Sequence, residues 1–293
     1  MKSYFEIAGD GGSGIAAQVA ELHGRVATAL SGVRCRLAVG SGKGGVGKST
    51  LTRHLAGALR QRGHRVAVLD ADLNGPTQAR LAGVQGVPPI PGERGLRLPR
   101  SADGVGVLSL GAFVPEGEAV EFDSVARGDS HVWRAAREFT LLAELLGTVE
   151  WGELDYLLID LAPGAERTFQ YAEFLGPETA FLLVTIPSQL SRGVVARSVA
   201  ALAGVPNPVL GYVENMSGYY CAECDEVKPM FPSAGEVELP IPCLGRLPFD
   251  PELAALCDRG LPSSAGGETL LTRSLAKIAD RVALATTTLE KTR

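Results

Sequence analysis

Arg36-Leu37-Ala38-Val39-Gly40-Ser41-Gly42-Lys43-Gly44-Gly45-Val46-Gly47-Lys48-Ser49-Thr50 is the stretch on which the reading of this chain turns. Residues 36–39 form a short, largely apolar run of the kind a buried strand needs, and residues 49–62 carry helical spacing that stops at Gly63. Between them, Gly42 to Ser49 fits G-x-x-x-x-G-K-[ST]. Glycines there let backbone N–H groups point at phosphate oxygens with no side chain in the way, and the following helix adds its positive end. The motif assigns Lys48 to the β- and γ-phosphates of ATP, the Ser49 hydroxyl to Mg²⁺ and Thr50 to the α-phosphate. A glycine-rich turn that matches by chance is the competing reading; a strand before it and a helix after it argue against that.

Outward from the loop, residues 65–70 form a second apolar strand ending in Asp70, which completes a β-α-β unit and hence a parallel strand pair. Apolar runs at 105–110, 156–160, 180–186 and 209–213 alternate with helical stretches. This pattern predicts an α/β fold of the P-loop NTPase kind, a doubly wound, mostly parallel sheet of at least six strands with helices on both faces. In Asp70-Ala71-Asp72, alternation turns both carboxylates to one side, toward the phosphate loop. The apolar run 155–160 ends in Asp160, as a Walker B strand does, with Pro163-Gly164 behind it. Each acid also has a plainer role open to it, capping the turn after its strand.

The rest of the chain sets limits. Its 293 residues suffice for one large domain, and 45% hydrophobic with 21% charged residues is the composition of an ordinary globular protein. A formal charge of −5 argues against nucleic acid as a partner. With no secretory leader and no uninterrupted apolar run of about 18 residues, the expectation is a cytoplasmic protein without membrane contact. Gly9-Asp10-Gly11-Gly12-Ser13-Gly14 reads as a joint and 15–30 as a helix, so residues 1–32 are expected to be an N-terminal extension and 33–293 a single domain. The Gly- and Pro-crowded stretch 84–99 reads as a surface loop, and the pattern lapses again at 221–242 before a last helix at 270–284. Only Cys221 and Cys224 are close in sequence; Cys35, Cys243 and Cys257 stand in apolar surroundings and read as small buried hydrophobes. A C-x-x-C pair offers two soft thiolates, which is half of a metal or cluster site.

Lys43, a second lysine inside the loop, makes the motif resemble the deviant Walker A loop of the dimeric ATPases that include the nitrogenase iron protein, partition ATPases and arsenite or tail-anchor ATPases. Within that class the chain resembles the Mrp/ApbC-type iron–sulfur cluster carriers from about residue 33 onward. The likeness is carried by residues 42–50, Asp70-Ala71-Asp72-Leu73-Asn74-Gly75-Pro76, Val114-Pro115-Glu116-Gly117, Trp151-Gly152-Glu153-Leu154-Asp155-Tyr156, Glu214-Asn215-Met216-Ser217 and Cys221-Ala222-Glu223-Cys224. The resemblance implies a homodimer in which Lys43 reaches the partner's nucleotide. It implies Asp70 holding a Mg²⁺-bound water, Asp160 on the metal side, Asp72 orienting the attacking water, and Asn215 beside adenine with 248–250 as the other wall. It further implies that Cys221 and Cys224 of both subunits hold one shared [4Fe–4S] cluster, delivered to apo iron–sulfur proteins. From the residues alone, Zn²⁺ in the same thiolates or a pair without metal stays open.

Two other functions share this outline. A positioning ATPase of the partition or division-site type would bind DNA or membrane, and the apolar face of 270–293 is more simply core. An electron-donating reductase takes its cysteines from separated loops. The chain also departs from the carrier pattern: Asp160-Leu161-Ala162-Pro163-Gly164-Ala165, followed by Glu166-Arg167, stands where Asp-x-Pro-Pro-Gly-Thr and an acid are usual, and Asn74 replaces an aromatic. Slow hydrolysis is the expectation.

Overall fold

The computed structural model describes residues 15–113, 131–221, 223–224, 226–231 and 238–292, so the joint at 9–14 and the block at 114–117 lie outside the described residues. In chain order the elements are α1 (Ile15–Ala29), β1 (Val33–Ser41), α2 (Lys48–Gln61), β2 (Val66–Asp70), α3 (Gln78–Leu81), β3 (Ile90–Pro91), β4 (Leu96–Arg97), β5 (Gly106–Leu108) and α4 (His131–Thr148). They continue with β6 (Leu154–Asp160), α5 (Ala165–Leu175), β7 (Thr179–Thr185), α6 (Gln189–Leu202), β8 (Val209–Glu214), β9 (Tyr219–Cys221), β10 (Glu226–Lys228), β11 (Cys243–Arg246), α7 (Pro251–Asp258) and α8 (Leu270–Thr292).

Seven strands form one sheet in the order β11-β8-β7-β1-β6-β2-β5, and every pairing in it is parallel. A parallel sheet has to be covered on both faces, which is why all seven residues of β7 are buried. Alternation along β1 and β6 divides the core in two. Ala38, Leu157 and Ile159 pack with side chains of α1, α4, α5 and α6, whereas Leu37, Val39 and Leu158 pack with α2 and α8. The doubly wound reading holds.

Helix α1 is tied into this core: Val26, and Leu30 just past the helix end, are buried within the first cluster. The apolar face of α8, through Leu271, Leu275, Ile278 and Val282, belongs to the second cluster, so it is core as expected. Among the described residues no helix is long and apolar enough to cross a membrane. The stretch 84–99, expected as loop, contains the β3–β4 hairpin, whose two-residue strands are too short to show any alternation in sequence. Trp151 is buried, with its indole N–H on the Leu146 carbonyl at 2.9 Å, while the side chain of Trp133 lies outside the described residues.

Candidate functional site

Parallel strands deliver their carboxyl ends to one edge, and β1, β2 and β6 are neighbours there. Asp70 pairs in register with Asp160, which pairs in turn with Val39 just before the phosphate loop. The loop enters α2 through Gly47, which caps the helix at φ 79° and ψ 24°. A Cβ at Gly47 would lie 2.2 Å from the Asn215 amide nitrogen, so conformation and space both demand glycine.

Lys48 is buried, and its ammonium is held by the Asp160 carboxylate and lies 3.2 Å from Ser49 Oγ. Gln78, itself fully buried, donates from Nε2 to Asp160 Oδ2 at 2.8 Å and to the Ser49 carbonyl at 2.9 Å. Asp70 is equally enclosed. Its Oδ2 accepts from the N–H groups of Thr77 and Gln78, at 2.8 and 2.9 Å, and from the Ser109 hydroxyl at 2.9 Å. The turn-capping role open to Asp70 is therefore real, and it uses one oxygen only. Burial, then the nearby Asp160 charge, pushes the Asp70 carboxyl up to about 7. Asp72 is half-buried and also raised, first by burial, with Lys48 opposing. Lys43 is half-buried, and its carbonyl accepts from Ser41 Oγ at 3.0 Å.

Asp70 Oδ1 is buried and has no hydrogen-bond partner among the described residues. An orphaned carboxylate oxygen next to a second carboxylate and a serine hydroxyl fits a hard cation. Among the described residues no three His, Cys, Asp or Glu side chains form a cage. That is the donor set Mg²⁺ favours, one or two carboxylates completed by substrate phosphates and waters.

Beside the loop opens a cavity of about 290 Å³ lined by Thr50, His54, Asn215, Met216, Phe249 and Cys257 among others. Asn215, which the resemblance sets beside adenine, lines this cavity. Its amide Nδ2, however, donates to the Val46 carbonyl at 2.9 Å, so part of its bonding capacity fixes the phosphate loop. Residues 248–250 line the same cavity, and Asp250 also caps α7 by accepting from the N–H groups of Glu252 and Leu253. Cys257 is buried as expected, but Cys35 and Cys243 are only half-buried. Cys257 Sγ lies 3.1 Å from His54 Nε2, and burial holds His54 down to about 3 and Cys257 up to about 11. The imidazole is thus neutral at ordinary pH.

Cys221 and Cys224 sit elsewhere, on the small antiparallel hairpin β9–β10. Cys224 is exposed and Cys221 half-exposed. Hydrogen bonding from the Cys224 backbone, then its side chain, draws the Cys221 thiol below its ordinary value, which favours the thiolate a metal needs. Gln78, Ser109 and His54 escaped the motif reading. The one available signal for Gln78 is its place two residues after the 70–76 block.

Fold and edge chemistry together define a P-loop NTPase whose phosphate loop carries a second lysine. The chain belongs to the NUBPL iron-transfer P-loop NTPase family, described also as ParA, whose model matches residues 32–283. It is 34% identical over 238 residues to the iron-sulfur cluster carrier protein of Methanococcus maripaludis, covering 80% of this chain and 79% of that protein. It is 36% identical over 241 residues to the human cytosolic Fe-S cluster assembly factor NUBP2, covering 79% of this chain and 85% of that protein. Among solved structures, the nucleotide-binding protein of Archaeoglobus fulgidus in complex with ADP superposes with a TM-score of 0.66 at 30% identity, over 81% of this chain and 91% of that one. The septum site-determining protein MinD of Pyrococcus horikoshii shares the fold, with a TM-score of 0.61 at 22% identity over 85% of this chain and 96% of that one.

Proposed function

We propose that this protein is an ATP-hydrolysing iron–sulfur cluster carrier that holds a [4Fe–4S] cluster between two copies of the chain and delivers it to apo proteins. The observation that carries the reading is the hairpin: two accessible thiols, one with its pKa lowered, and no third ligand beside them among the described residues. Two copies supply the four thiolates such a cluster takes. An exposed, incomplete site releases its cargo readily, as delivery requires.

On the nucleotide side, Lys48 exchanges Asp160 for phosphate oxygens, and backbone N–H groups of 42–49 cradle the same charge. Ser49, Asp70 and Asp160 would hold Mg²⁺ and its waters, and the ion would supply positive charge beside the phosphates. Asp72 accepts from the attacking water and aims it, while Lys43 reaches the nucleotide of the second copy. Nucleotide state then biases dimer geometry, and with it the grip of the paired hairpins.

The test is anaerobic reconstitution with iron and sulfide, with iron, sulfide and zinc counted for wild type and for Cys221→Ser/Cys224→Ser. The expected result is about four irons per pair of chains, lost in the variant while ATP binding persists. Zinc alone, or a full cluster in the variant, would overturn the reading.

A further inference from the structure

The cavity and the cysteine hairpin share a wall. Residues 247–250 line the cavity, and backbone bonds bind the same segment to the chain that forms the hairpin. Phe249 N–H donates to the Gly218 carbonyl at 2.7 Å, Tyr220 N–H to the Phe249 carbonyl at 2.9 Å, and Ser217 N–H to the Leu247 carbonyl at 2.9 Å. The rings of Tyr219 and Phe249 stack with centroids 6.4 Å apart.

The hairpin has little freedom to move apart from that wall. Tyr220 and Cys221 pair in register with Val227 and Glu226, and a Cβ on Gly218 would come within 2.4 Å of Val227 Cγ1. On its other side the chain is equally taut. Asn215 is pinned to the phosphate loop, and Met216, which lines the cavity, is the one non-glycine residue at positive φ (51°) among those described.

We propose that Phe249 and Tyr219 are positioning residues through which the base of a bound nucleotide, rather than its phosphates, sets the geometry of Cys221 and Cys224. The proposal rests on the carrier reading above. A base in the cavity meets Phe249 and Met216 directly, and a shift of the wall carries the paired strands of the hairpin with it. A ligand moves such an equilibrium only through contacts that differ between the two states, and the contacts proposed at the shared wall are those of the base.

The experiment follows anaerobic alkylation of Cys221 and Cys224 by iodoacetamide in the cluster-free protein, read peptide by peptide. Rates are compared with no ligand, with saturating Mg-ADP and with saturating pyrophosphate, each occupancy being checked by calorimetry. ADP is expected to change the rate about fivefold or more, and pyrophosphate to leave it unchanged. Tyr219→Ala, outside the cavity and 40% exposed, should bind ADP normally yet lose the change, whereas Tyr219→Phe should keep it. An equal effect from pyrophosphate, no effect from bound ADP, or a full effect in Tyr219→Ala overturns the proposal. Failure of the carrier reading would show separately, as zinc or no metal after reconstitution.

Discussion

At the edge of the main sheet, charged and polar groups are buried and committed to partners within the chain: Lys48 to Asp160, Gln78 to Asp160 and Ser49, Asp70 to the turn that begins α3. On the β9–β10 hairpin the reactive groups are accessible, and the strands that carry them are held by backbone pairing and by the stack of Tyr219 on Phe249. The buried cluster of the first site is closed within one chain, and altering it disturbs the fold as well as the chemistry. The second is half a site, and altering it should disturb chemistry only.

Lys48→Ala offers the largest effect by which to break that contrast. Losing a phosphate clamp costs turnover about a hundredfold or more. It also strands the Asp160 charge beside Asp70 with no cation, a loss of about 3 kcal/mol in stability by urea unfolding. Unchanged stability would mean the buried cluster is not committed as described. Gly47→Ala comes next: the left-handed backbone and the Asn215 contact together should cost about 2 kcal/mol, with weaker ATP binding in parallel. Equal stability to wild type would mean the loop entrance is not held in this conformation.

A smaller effect sits where the two regions meet. His54 is held down to about 3 by burial, whereas an unfolded histidine titrates near 6.5. Between those values the unfolded chain binds the extra proton, so the His54 contribution is intact above about 6.5 and is lost as pH falls toward 3. From pH 7 to 5.5 this amounts to about 1 kcal/mol. Asp70, raised in the fold, works with the opposite sign, so the difference between wild type and His54→Gln isolates the histidine. Parallel pH profiles for the two proteins would sink the assignment.

The fold was legible because its determinants are local and repeated: a glycine loop between a strand and a helix, strands ending in Asp70 and Asp160, apolar runs long enough to be buried on both faces. What stayed hidden was made by distant residues meeting. Gln78 reaches Asp160 only after β2 and β6 pair, and His54 meets Cys257 only after α7 folds back over α2. The cysteine pair was plain in sequence, but its attachment to Phe249 was not, because bonds from backbone to backbone leave no mark on residue type. Asn215 was singled out only through the resemblance, as a neighbour of the base, and its bond to the Val46 carbonyl depends on a loop conformation that only the folded chain fixes.

The smallest expected effect sharpens the comparison most. Cys221→Ser/Cys224→Ser in the metal-free protein should change unfolding stability by no more than about 0.5 kcal/mol, the range of ordinary surface substitutions. The hairpin owes its place to Phe249, Gly218 and the β9–β10 pairing, none of which uses a thiol. A structural zinc knuckle would behave otherwise, since metal that closes a fold contributes its binding energy to stability and chelation removes it. EDTA added to purified wild type therefore separates the cases. An unchanged midpoint of thermal unfolding is expected for thiols kept for cargo, and a drop matched by loss of zinc would assign the pair to structure instead.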